Sequence, residues 1–326
     1  METRPLGRGH IHQTFLARYD GPDGIPLKVV HQRLNTSVFA DLVQLSANVQ
    51  RVTEHLAARG SGPGMRLVPA VAGGTIAFDE RGRPWRTLTF VAGARSYHRF
   101  AAAADAAAGA AAAARFVADL VDLPGPPLRE VIPRFHDVAD RLAHLATAAA
   151  ADPAGRWLDC RAEVDAVLDG GDLAAAIGAA RADGRLPERT VHNDAKADNI
   201  LFDERSGVAL GLVDLDTVGP GTVLFDVGDL VRSGAPSGPE DGDPGRTGIR
   251  ADVVDAILEA YAEGGAGFLT ATELALFPRA GPLMALEAAA RFLTDHLQGD
   301  VYFAVDGPGH NLRRARTQLR LLDLLA

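Results

Sequence analysis

The sequence predicts an α+β protein of two lobes, a small antiparallel β lobe with one main helix over residues 1–93 and a larger, mostly helical lobe over residues 94–326. Three observations predict it. The N-terminal part runs in short alternating apolar segments broken by glycine-bearing turns, the period of half-buried strands. From Ala94 onward apolar residues recur at steps of three and four, the period of amphipathic helices. Between the helical stretches, Thr190–Asp216 reads as strand, polar loop, strand, turn, strand, and ionisable side chains gather there. At 326 residues the chain is long enough to give each lobe a core.

Taken in order, residues 5–20 place Gly7 and Gly9 ahead of an alternating segment with Ile11, Phe15, Ala17 and Tyr19, a glycine turn between two strands. Leu27–Leu34 is the next strand. In Asp41–Leu56 the apolar Leu42, Leu45, Val49, Val52 and Leu56 mark an amphipathic helix. Two strand segments follow, Arg66–Ala70 and Gly74–Asp79, then the strand Trp85–Gly93, whose end at a glycine suits a hinge between lobes. Helices are expected over Tyr97–Leu120, Val138–Ala148, Leu158–Leu168, Leu173–Ala182, Asp252–Ala262, Ala271–Phe277, Pro282–Gln298 and Leu312–Leu325. Asp137 is placed to cap the second of them, with His136 beside it as a pocket candidate. Ser233–Gly248 is rich in glycine, proline and acids and reads as a mobile loop, a place for a substrate lid.

The chemistry sits in the polar loop. His192-x-Asp194-x4-Asn199, followed by Asp214 at the end of an apolar strand, is the acid arrangement of kinase-type phosphoryl transfer. Asp194 would accept the proton of the substrate hydroxyl. Asn199 and Asp214 would hold Mg²⁺ on the phosphates of ATP, and Lys196 would reach the transferring oxygens. Only two lysines occur against 31 arginines, which makes a lysine inside this loop conspicuous. A kinase lobe also wants a glycine loop over the phosphates, for which Gly7 and Gly9 stand first in the chain. It wants a strand cation too, Arg33 by position or else Lys28, and a polar partner on the helix, Glu54 or Asn48. Adenine would meet the backbone near Phe90 and Ala92. Asp226, at the start of a helix after the glycine turn, would brace the catalytic loop that His192 opens.

The chain resembles the aminoglycoside phosphotransferase and choline kinase superfamily, and within it the N-acetylhexosamine 1-kinase group. The likeness rests on Gly9–Phe15, Gln32–Asn35, Ile132–His136, His192–Asp194, Val213–Thr217, Asp226-x-Gly-Asp229 and Gly299–Phe303. It implies that Asp194 is the base and that Asn199 and Asp214 are the metal ligands, with Asp216 beside the metal. It also implies that Arg291 and Tyr302 lie near a sugar and that His10 belongs to the loop closing over the acceptor. Arg33 departs from the usual third-strand lysine, and His12 stands where asparagine is expected. The implied reaction is phosphorylation of the anomeric hydroxyl of an N-acetylated sugar.

Composition narrows the alternatives. A formal charge of −9 argues against nucleic acid as a partner. The single cysteine, Cys160, excludes an internal disulfide framework. The first residues lack an apolar signal region, and the alanine run Ala101–Ala114 is too short for a membrane span, so a cytoplasmic protein is expected. Choline would call for an aromatic cage, poorly supplied by two Trp and four Tyr. A polycationic aminoglycoside would suit Glu240, Asp241 and Asp243. A catalytically silent kinase fold would have to discard an intact set of acids.

Overall fold

In the computed structural model, residues 2–6, 11–21 and 26–326 are described. Gly7, Gly9 and His10 lie outside them. The alternating N-terminal segments form β1 (Glu2–Pro5), β2 (Gln13–Asp20), β3 (Pro26–Arg33), β4 (Leu67–Val68), β5 (Ala77–Phe78) and β6 (Pro84–Thr89). They pair antiparallel in the order β1-β2-β3-β6-β4, with β5 also on β6. The register sets Thr14 beside Gln32 and Gln32 beside Arg86. Paired residues share a sheet face and neighbours along a strand alternate. One face therefore carries Leu16, Val30, Gln32, Arg86 and Leu88. The other carries Phe15, His31, Arg33, Trp85 and Thr87, where Tyr19, His31 and Thr87 are hydrogen-bonded in a row.

Helix α1 (Leu42–Ala58) starts where the Asp41 carboxylate accepts the Gln44 N–H, and it buries Leu45, Val49, Val52 and Leu56 as the period requires. After the left-handed Gly93, β7 (Ala94–Arg95) pairs with a strand of the catalytic region and not with the first sheet. The larger lobe then builds α2 (Ala103–Asp119), α3 (Val138–Ala151), α4 (Trp157–Asp169) and α5 (Gly171–Ala182). The short strands β8 (Arg189–Val191), β9 (Ile200–Asp203), β10 (Ala209–Leu212) and β11 (Gly219–Gly221) follow. The chain closes with α6 (Val223–Gly234), α7 (Ala251–Gly264), α8 (Ala271–Leu297) and α9 (His310–Leu325). The α+β, two-lobed kinase-like class is what the chain adopts.

Three expectations are corrected. The two helices read on either side of Pro278–Pro282 are one, α8. Each proline removes an N–H and crowds the preceding turn. A Thr270–Glu273 capping box and nearly continuous burial from Ala280 to Leu297 carry the helix through. The helix read from Tyr97 begins at Ala103, because the residues between β7 and Ala103 are spent on seating Phe100 in the core. Ser233–Gly248 is tied down. Ser237 and Gly248 bond each other, Arg232 reaches Glu240 at 2.8 Å, and Arg250 holds the carbonyls of Phe100, Ala101 and Gly234.

No helix among the described residues is long and apolar enough to cross a membrane. The core lies mainly between α2, α6, α7 and α8. Gly228 is required there: a Cβ on it would meet the Ala280 carbonyl oxygen at 2.3 Å, so only glycine lets α6 lie this close to α8. That close crossing places Asp226 and Asp229 under the catalytic loop.

Candidate active site

The loop from His192 to Asn199 is fixed from below by α6. Asp226, fully buried, accepts the backbone N–H groups of His192 at 3.0 Å and Asn193 at 2.8 Å. Burial pushes its carboxyl up to about 7, against the pull of those two N–H groups. Ser233, two turns further along, takes the Ala197 N–H. Asn193 adopts a left-handed φ of 61°, a conformation asparagine tolerates, and its amide reaches the Thr217 carbonyl at 3.0 Å. His192 is buried and donates Nε2–H to the Val213 carbonyl; burial lowers its pKa, keeping the ring neutral. The imidazole joins the two halves of the site and does not face the cleft.

Asp194 and Lys196 come together at 2.8 Å on Asp194 Oδ2. Asn199 adds its amide N–H to the same oxygen at 3.0 Å and to the Asp194 carbonyl at 2.8 Å. Burial alone would raise the Asp194 carboxyl, but the Lys196 ammonium outweighs it and holds the group below its usual value. The carboxylate is therefore ionised, with Oδ2 engaged and Oδ1 left for another partner.

Asn199 has spent its N–H donors, so its Oδ1 is the atom left to meet a cation. Asp214 sits at φ 63° at the end of the Leu212 strand, and its carboxylate bonds no described residue. Although it opens to the cleft, protein surrounds it on its other sides. That desolvation, with the Asp216 and Asp194 charges, pushes its carboxyl upward. A bound cation would relieve this crowding, so the donor set fits a divalent metal held by Asn199 and Asp214.

Asp216, expected beside the metal, is already engaged by the protein. Its carboxylate is filled by Arg86, at 2.5 and 2.7 Å, and by His12, at 2.6 Å. His12 Nδ1 accepts the Asn35 N–H, which puts the proton on Nε2 and makes His12 the donor. Burial would raise Asp216, but Arg86 and then His12 depress it well below the carboxylate range. Arg86 also donates to Gln32 at 2.8 Å. The strand cation of this site is Arg86 and not Arg33, because strand alternation turns Arg33 onto the opposite sheet face. The helix acid is absent as well. Glu54 bonds Gln50 at the surface, whereas Asn48 is buried and ties α1 to the carbonyls of Arg129 and Val218.

Phe90 and Ala92 lie on the connection between lobes, and Phe90–Ala92 pairs with no other described backbone. Arg291, expected near the acceptor, stacks over Phe135 at 5.1 Å, Phe303 at 5.5 Å and Tyr302 at 5.8 Å. The loop carrying Tyr302 hangs from Asp295, a buried carboxylate that accepts the N–H groups of Val301, Tyr302 and Phe303 and the Asn311 amide. Sequence reasoning missed Arg86 and Asp295. An arginine at the inward parity of an apolar strand was the available signal for the first; for the second there was none.

One other group among the described residues has the spacing of a cation site: Asp241, Asp306 and His310. There His310 Nδ1 accepts the Asp306 N–H at 2.9 Å, so the proton sits on Nε2 and no lone pair faces the acids. That arrangement does not suit a metal.

Comparison with solved structures agrees with this architecture. An amicoumacin kinase in complex with AMP-PNP, Ca²⁺ and Ami is similar at 11% identity and TM-score 0.63, over 98% of this chain and 87% of that one. An aminoglycoside phosphotransferase from Alicyclobacillus acidocaldarius gives 15% and 0.61, over 99% and 90%. The choline kinase LicA from Streptococcus pneumoniae gives 12% and 0.59, over 99% and 93%. At these identities the likeness establishes the fold. The sequence pattern of the phosphotransferase enzyme family (APH) matches residues 2–271, and the chain belongs to that family.

Proposed function

We propose that this phosphotransferase is an ATP- and Mg²⁺-dependent kinase acting in the cytoplasm on the anomeric hydroxyl of an N-acetylhexosamine or a related sugar, giving a sugar 1-phosphate. In this reading residues 1–93 take the nucleotide, with Gly7 and Gly9 over its phosphates and Phe90 and Ala92 at its base. Residues 94–326 supply the catalytic loop and the acceptor pocket.

The observation that carries the reading is the free Oδ1 of an ionised Asp194 beside Lys196, Asn199 and Asp214. Asn199 and Asp214 would hold Mg²⁺ on ATP, where the metal would neutralise the charge of the phosphoryl group being transferred. The chain's own residues position and stabilise. Asp194 Oδ1 aligns the acceptor hydroxyl and takes its proton late, as a weakly basic carboxylate can when the hydroxyl is acidic. An anomeric hydroxyl is more acidic than an ordinary alcohol. Lys196 offers a point charge to the transferring oxygens, and Arg86 holds Asp216 beside them. The amicoumacin kinase, solved with AMP-PNP and Ca²⁺, supports a nucleotide and a divalent cation in this fold.

Support for a neutral acceptor comes from the acids that a polycation would need. Glu240 is paired with Arg232, Asp241 faces His310 at 3.3 Å, and Asp243 accepts the Gly245 N–H. Arg291 with Tyr302, and His10 from the first loop, are the groups we assign to the sugar. The test is ADP release with ATP and Mg²⁺ across GlcNAc, GalNAc, glucosamine, glucose, galactose, kanamycin, choline and homoserine. Turnover on the N-acetylhexosamines with an acid-labile product is the expected result. Turnover confined to kanamycin would overturn the acceptor assignment.

A further inference from the structure

His136 and Glu287 lie 151 positions apart in the chain and meet in the core, Nδ1 to Oε2 at 2.8 Å. Both are buried, and neither belongs to the set of groups that hold nucleotide or metal. His136 Nε2 is 2.8 Å from the carbonyl oxygen of Asn193. A carbonyl only accepts, so Nε2 carries a proton. That carbonyl belongs to the peptide joining Asn193 to Asp194. With the Asn193 N–H on Asp226 and its side-chain amide on the Thr217 carbonyl, the His136 bond is the contact that sets this last peptide plane. The imidazole cannot turn, since Phe135 and Phe225 flank it with ring centres 4.3 and 4.6 Å away.

Glu287 faces the other way as well. Its Oε1 is buried with no hydrogen-bond partner, 3.8 Å from the Arg291 guanidinium one helical turn on. An unsatisfied carboxylate oxygen in the core is costly unless a charge offsets it. Arg291, stacked on Phe135 and on the Tyr302–Phe303 loop, offsets it together with His136 and Arg141.

We propose that Glu287 and His136 form a positioning unit that ties Arg291, on the acceptor side, to the peptide preceding Asp194. The unit has two arms: Glu287 orients Arg291, and His136 orients the catalytic loop. Its acceptor arm rests on the reading that the sugar meets Arg291.

The arms separate by substitution. Glu287→Gln keeps length and hydrogen bonding, because its amide donates to Nδ1 of a neutral His136 whose Nε2–H still reaches Asn193. The charge facing Arg291 is lost and His136 gives up its Nδ1 proton, while its bond to Asn193 stays. His136→Asn removes the reach to Asn193. With GlcNAc as probe, Glu287→Gln is expected to raise the acceptor KM about tenfold, with kcat within about twofold and ATP KM unchanged. His136→Asn is expected to lower kcat by about tenfold or more, with ATP KM unchanged. Thermal melting confirms folding of each. Should Glu287→Gln not fold, Glu287→Asp keeps the charge but withdraws it from both partners, and both kcat and acceptor KM should worsen. An unchanged acceptor KM in the Glu287 variant, or an ATP KM that rises in parallel with it, overturns the unit. Acceptor-free ATP hydrolysis by His136→Asn separates the two readings. If wild type leaves GlcNAc untouched, the acceptor assignment falls, while loss of hydrolysis in His136→Asn still upholds the loop arm and unchanged hydrolysis removes it.

Discussion

At the scale of single residues, the loop divides into groups that face the reaction and groups that hold them. In the proposed reaction Asp194 belongs to the first. Asp194→Asn preserves shape and keeps an oxygen for Lys196 or Asn199, but it cannot take a proton. Turnover should fall by about a hundredfold or more, while nucleotide affinity measured by calorimetry stays within about threefold. Turnover equal to wild type would remove Asp194 as the base. Asp226 belongs to the second group and lends itself to a pH experiment. Its carboxyl lies at about 7 in the folded chain, against about 4 when unfolded. Between those values the folded state keeps a proton that the unfolded state loses, so its contribution falls as pH rises through this window and is flat beyond it. Asparagine does not titrate. The stability of wild type minus that of Asp226→Asn should therefore shrink by a few kcal/mol from about pH 4 to about pH 7 in urea titrations. A gap that widens with pH contradicts the assignment. Asp194, Asn199, Asp214 and Asp226 were legible in the sequence because spacing within one loop and the next helix start fixes them. Arg86, Glu287 and Asp295 were not, since their partners lie 130, 151 and up to 16 positions away and only the fold brings them together.

At the scale of elements, the sheet shows where pattern reading stops. The existence of β3 and β6 follows from their apolar runs, but the choice between Arg33 and Arg86 depends on which strand face meets the larger lobe. A shift of one residue exchanges the faces. Arg86 sits with Leu88 and Gln32 on the inner face, nearly inaccessible at 3%, and grips Asp216 with two parallel bonds. Removing it leaves a buried carboxylate with His12 alone. Arg86→Met should cost about 3–5 kcal/mol of stability by denaturant titration. Arg33→Met, on the outer face with no polar partner among the described residues, should cost under about 1 kcal/mol. Equal costs would mean that the faces have been assigned the wrong way round. Helix α8 teaches the converse lesson. Prolines at 278 and 282 argue for a break, and burial along its C-terminal half overrides them. That continuity matters for the site, because α8 carries Glu287, Arg291 and Asp295 on one rigid body.

At the scale of the whole molecule, charge distinguishes the candidate acceptors. The chain carries a net −9, yet Asp229, Glu240, Asp241 and Asp243 are each committed to an arginine, histidine or backbone partner. A polycationic acceptor would draw on the field of the entire protein, and such attraction weakens as salt shortens the screening length from about 14 Å near 0.05 M to about 6 Å near 0.3 M. A neutral sugar held by hydrogen bonds and by stacking beside Arg291 and Tyr302 feels little of that field. The acceptor KM for GlcNAc should therefore change by less than about twofold across that salt range, measured at saturating Mg²⁺–ATP. Kanamycin, if it is turned over at all, should show a KM that climbs several-fold over the same interval. A GlcNAc KM that climbs as steeply would place long-range charge in acceptor binding. The committed acids of the Ser233–Gly248 loop would then have to be freed when the acceptor arrives, and the pairing of Arg232 with Glu240 would be the first contact to break.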